Sequence, residues 1–145
     1  MANYQIRRFK ADVHKWIEAA GKDVETVATL LLKDIHAALV HMSPVDTGRF
    51  RGNWQVTTNQ PAMHSLNEYD KGGQRTIKNG DSVIDSIFRN GAAVTSVHFS
   101  NMLIYANALE YGHSKQAPAG IVGIVAIKAR SFAANAVMRV KGGNL

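Results

Sequence analysis

The 145-residue chain reads as α+β, with a long N-terminal helix and a C-terminal helix packed on a small antiparallel β-sheet. Three observations predict this. Apolar residues recur at helical spacing from about residue 9 to residue 41. A strictly alternating stretch follows a proline–glycine turn near residue 50. An alanine-rich apolar run then fills residues 121–140. The length suits one domain, residues 1–145, and lets roughly two-thirds of the unfolded surface be buried without covalent staples.

Residues 1–8 are expected to be a flexible basic arm, carrying Arg7 and Arg8, that orders against a partner. From Phe9 to His41, Val13, Ile17, Ala20, Val24, Val27, Leu31, Ile35 and Leu39 form one apolar stripe of an amphipathic helix. Gly21 is its weak point, at about 1 kcal/mol against alanine. Pro44 disfavours helix at Ser43, so the helix is expected to stop at His41 or Met42. Asp46-Thr47-Gly48 is turn chemistry. Phe50, Gly52, Trp54 and Val56 alternate with Arg51, Asn53, Gln55 and Thr57, which predicts a half-buried strand. Residues 59–80, polar and glycine-rich, are expected to be a mobile loop. Asp81 is expected to cap a short helix over 82–90, ended by Gly91. Ala93–Ser100 reads as a second strand, and 103–111 as a continuation of it or a short helix. In the last segment Ile121, Ile124, Val125, Lys128, Phe132 and Ala136 share a helical face, with a strand as the alternative for IVGIVAI.

Composition narrows the function. There is no cysteine, so disulfides and thiolate metal sites are excluded. No apolar run approaches the ~18–20 residues that cross a bilayer, so no membrane partner is expected. The N-terminus lacks the apolar region of a secretory signal. The net charge of +6 favours anionic partners such as nucleic acid or acidic protein surfaces. His36 and His41, five apart, do not share a helix face as a metal pair would. No metal, cofactor or catalytic residue is assigned. Asp46-Thr47-Gly48 matches the aspartic-protease tripeptide, but it follows a helix rather than an apolar strand. Glu68, Asp70, Glu110 and Asp46 have no spacing that marks an acid–base pair. Lys71, Arg75 and Lys78, with Arg7 and Arg8, are candidates to face DNA phosphates without reading sequence.

The strongest signal lies in two stretches. Residues 43–54, SPVDTGRFRGNW, contain Pro44, Asp46, Thr47, Gly48, Arg49 and Trp54. Residues 104–112, IYANALEYG, contain Tyr105, Glu110, Tyr111 and Gly112. Their order and separation resemble the head–tail connector and tail-completion proteins of tailed bacteriophages, of the lambda minor tail protein Z type. The resemblance spans about residues 10–140. It departs from the family at Gln116-Ala117-Pro118-Ala119-Gly120, where a Pro-x-Arg-Pro-Phe segment is common. It implies a structural virion protein, not an enzyme, that forms a homo-oligomeric ring around the DNA path. Its implied partners are itself, other phage neck and tail proteins, and the genomic DNA in the channel. The implied location is the virion, after assembly in the host cytoplasm. The Asp-Thr-Gly-Arg turn is then expected to matter for the fold, with an Arg49–Glu110 ion pair. The alternative is a small basic DNA-binding protein without specific readout.

Overall fold

Helix α1, Val24–Met42, buries Val27, Leu31, Ile35 and Leu39 as the stripe predicts, together with His36 and Val40. The computed structural model describes residues 24–89, 93–112 and 114–142. The arm at 1–8, the first half of the expected helix and the basic pair Arg7 and Arg8 lie outside the described residues. Helix α1 ends where the residue before Pro44 predicts.

The next element differs from its expectation. Residues Arg49–Gly52 form one helical turn, α2, and strand β1 starts only at Trp54 and runs to Thr58. Gly48 explains this. It is left-handed, with φ of 86°, and its carbonyl accepts the Gly52 N–H at 2.8 Å. The alternating apolar residues Phe50 and Trp54 are still buried, one on the helical turn and one at the start of the strand, with their rings edge-on at 6.0 Å.

Residues 59–73 are the loop, and its expected last seven residues are instead helical. Helix α3 spans Gln74–Ser86, so Asp81 lies inside it rather than capping it. Its cap is Asp70. The carboxylate accepts the Gly73 N–H at 3.1 Å, the Thr76 N–H at 2.8 Å and the Thr76 hydroxyl at 2.7 Å. Gly80, which resembled a loop glycine, is in mid-helix because a Cβ there would collide with the His36 ring.

Strand β2 is Val97–Asn101, shorter and later than the expected 93–100. The Asn59 side chain holds the preceding residues out of the strand, donating to the Ala93 carbonyl and accepting the Thr95 N–H. β1 and β2 pair antiparallel, with Val56 opposite Phe99. Short helix α4, Ala106–Glu110, follows. The C-terminal segment is helix throughout: α5 spans Val122–Lys141. Its buried face is Val125, Ala129, Ala133 and Ala136, and Lys128, expected on that face, is exposed. The small residues let α5 pack closely along α1.

The architecture is α+β. The main core joins Leu31, Ile35 and Leu39 of α1 to Phe50, Trp54 and Leu103, and to Ile121, Val125, Ala129 and Ala133 at the other end of the chain. A smaller cluster of Val56, Ile84 and Ile87 lies between β1 and α3. Phe99 touches both. Among the described residues no helix is long and apolar enough to cross a membrane.

Candidate assembly surface

The chain leaves α1 through a series of side-chain bonds to backbone. The Ser43 hydroxyl donates to the Leu39 carbonyl at 2.6 Å and accepts the indole N–H of buried Trp54 at 2.7 Å. Arg51 grips the same corner. One terminal nitrogen donates to the His41 and Ser43 carbonyls, at 3.1 and 2.9 Å, and the other to the Lys71 carbonyl at 2.8 Å. The last carbonyls of α1 thus meet a cation where the helix dipole favours one. Asn53, fully buried, donates to the Arg49 carbonyl and accepts the Leu66 N–H at 2.6 Å. Gly48 closes the turn. Its carbonyl also accepts the Asp70 N–H at 3.0 Å. A Cβ at Gly48 would come within 2.8 Å of the Asp70 backbone.

The second stretch docks onto the first. Gln116 clamps Val45 with two bonds: its Oε1 accepts the Val45 N–H and its Nε2 donates to the Val45 carbonyl, both at 2.9 Å. The Phe50 ring lies 6.0 Å from Tyr105 and, edge-on, 6.0 Å from Trp54. Asn101 donates to the Phe50 carbonyl at 2.8 Å. Between the stretches is an open depression of about 420 Å³, lined by Pro44, Asp46, Thr47, Gly48, Arg49 and Tyr105, among others. Tyr111 is 81% exposed and Ile104 fully exposed.

The expected Arg49–Glu110 ion pair does not form. Glu110 is turned to the N-terminus of α5, where Oε1 accepts the Ile121 and Val122 N–H groups at 2.9 and 2.7 Å and Oε2 accepts that of Gly123 at 3.0 Å. A carboxylate there fills the orphan donors of the first turn and suits the helix dipole. Gly112, with φ of 86°, lets the chain fold back so that Glu110 reaches them. Arg49 is exposed, and the arginine that ties the corner is Arg51.

Thus Pro44, Asp46, Thr47, Gly48, Arg49 and Tyr105 are brought together, with Trp54 beneath them and Glu110, Tyr111 and Gly112 behind. Arg51, Gln116, Asn53 and Asp70 were not anticipated. Arg51 sits in the first stretch, but a helical turn rather than a strand decides which arginine turns inward. Gln116 and Asp70 act across sequence gaps that no local pattern reveals. Asp46 is exposed on the turn.

Of the DNA-facing candidates, Lys71, Arg75 and Lys78 are among the described residues. Arg75 is paired with Glu68 at 2.7 Å and also donates to the Tyr69 carbonyl. Lys71 and Lys78 are exposed. Burial pushes the Asp70 carboxyl up, but the Thr76 and Gly73 hydrogen bonds, with the Arg75 charge, hold it below its ordinary value. Among the described residues no three His, Asp or Glu side chains gather as a metal would require.

A second polar cluster lies in the seam between α1 and α3. His36 is fully buried, its Nε2 3.0 Å from the Thr76 carbonyl. That nitrogen therefore donates, and Nδ1 has no partner, like the nearby buried Oδ1 of Asp81. Burial holds His36 below the usual imidazole range, against the Thr76 carbonyl and the Asp81 charge. Burial also raises Asp81, against Lys33 and His36.

No protein-family model, curated protein or solved structure matches the chain.

Proposed function

We propose that this chain is a structural protein of a tailed-phage virion, acting at the head–tail junction as a neck or tail-completion subunit. It works through protein–protein contacts and not through a reaction. Copies assemble as a ring around the DNA path and meet other neck and tail proteins.

The observation that supports this most is the convergence of the two stretches that carry the resemblance. Nearly sixty residues apart in sequence, they form one joint, held by bonds from the Ser43, Arg51, Asn53 and Gln116 side chains to backbone groups. Around the joint, Ile104, Tyr105 and Tyr111 offer apolar surface next to an open depression, which suits a contact between subunits. The basic surplus suits a channel that holds DNA without reading it.

Electron microscopy and native mass spectrometry of the purified protein, alone and with its neighbouring virion proteins, test the reading. Rings with a central opening, or incorporation at the head–tail junction, are expected. A chain that joins no virion particle and forms no ring under either condition would sink it. Tight, salt-dependent retention on DNA without assembly would favour the small DNA-binding protein instead.

A further inference from the structure

The sheet has two strands, and its two edges differ. The outer edge of β1 is closed off: Trp54 and Val56 are buried beside α3, and Gln55 and Asn53 tie the loop at His64 and Leu66 alongside. The outer edge of β2 has no such cover among the described residues, and every residue of Val97–Asn101 stays partly exposed. The parity of the ladder follows from the Asn59 N–H bond to the Ser96 carbonyl at 2.8 Å. In an antiparallel pair, bonded and non-bonded positions alternate. Thr57–His98 and Gln55–Ser100 therefore exchange backbone bonds, and the N–H and C=O groups of Val97 and Phe99 point away from β1. Among the described residues none of these outward groups has a hydrogen-bond partner.

Exposed edges are normally blunted with lysine, proline, a bulge or a covering segment. Here the opposite holds. From Asn90 to Leu109 the chain has no Asp, Glu, Lys or Arg and no proline, although charged residues make up 19% of the whole. Two copies each carrying +6 repel one another. This uncharged stretch is where they can approach without setting like charges face to face. The strand accessible on each copy is the same one, because β1 is shielded.

We infer that the β2 edge is a self-association surface, where a second copy of this chain pairs its own β2 antiparallel to make a four-stranded sheet. The contact is two-fold, with the same patch contributed by both copies. It differs from the head-to-tail contact that a ring requires and does not depend on it.

Sedimentation velocity of the full chain over a concentration series tests this, with two variants. Val97→Pro removes an outward donor at the first residue of the strand, a position where proline is tolerated. Ser100→Lys sets a charge into the uncharged edge and leaves the outward backbone groups in place. The wild type is expected to pass reversibly from monomer to dimer, and each variant to weaken that step at least tenfold with an unchanged circular dichroism spectrum. If Val97→Pro perturbs the fold, Ser100→Lys decides alone. A wild type that stays monomeric throughout, or a dimer equally tight in Ser100→Lys, overturns the inference. Rings that form equally well in both variants, without a two-fold pair, overturn it too while leaving the assembly reading intact.

Discussion

The corner at Ser43–Trp54 and the seam between α1 and α3 both bury polar groups, and they do so in opposite ways. At the corner, Ser43, Arg51, Asn53 and Gln116 reach backbone groups, and these hydrogen bonds set the angle between α1 and the sheet, with only the buried Arg51 Nε left without a partner among the described residues. In the seam, one imidazole spans the gap to Thr76, and two buried atoms, His36 Nδ1 and Asp81 Oδ1, find no partner. The corner thus depends on geometry, the seam on protonation. Damage to the first is expected to be independent of pH, and damage to the second to follow it.

Gly48→Ala should cost the most, about 3 kcal/mol, because left-handed strain of about 1–2 kcal/mol adds to a backbone displacement at Asp70. Chemical denaturation at pH 7 and pH 8 should give the same loss. Arg51→Ala should cost about 2 kcal/mol, since it removes charge-assisted bonds to three carbonyls. Arg49→Ala, two residues away, should stay within about 0.5 kcal/mol. If these two losses are reversed, the corner has been misread.

The seam supplies the pH dependence. Because burial lowers the His36 pKa, the folded state binds fewer protons than the unfolded chain below about pH 6.5. Stability should therefore decline as pH falls from about 6.5 toward 5. Asp81, raised by burial, takes up its proton more readily when folded and so offsets the decline nearer the carboxylate range. His36→Gln should flatten the slope between pH 6.5 and 5 in thermal melts, and an unchanged slope would assign it elsewhere. Gln116→Ala should cost about 1 kcal/mol or less, with the Val45 amide exchanging faster with solvent.

What the sequence made legible was what local pattern governs. The stripe of α1 and its stop before Pro44 follow from periodicity and from the steric rule for residues before proline. The apolar, alanine-rich run located α5 and, in Ile121, Val125 and Ala136, part of its buried face, but packing against α1 selects Ala129 and Ala133 rather than Lys128. The first part of helix α3, before the expected start at residue 82, escaped because its cap, Asp70, bonds Thr76 from six positions away and its mid-helix glycine answers to His36 on another element. Of the site, the two stretches were visible but their fastening was not. Glu110 was read as a partner for Arg49, yet the nearby start of α5 offers three unpaired N–H groups, and these hold its carboxylate.

The packing of Ala129 and Ala133 against α1 also bears on how the protein is made. The first described helix and the last share one core, so that core cannot close while residues 121–136 are still inside the ribosome. During synthesis the Leu31, Ile35 and Leu39 face of α1 waits without its final cover, and such surface is prone to aggregation. Closure of this core therefore waits until residues 121–136 have emerged, and the interval before it is when a chaperone has most to hold.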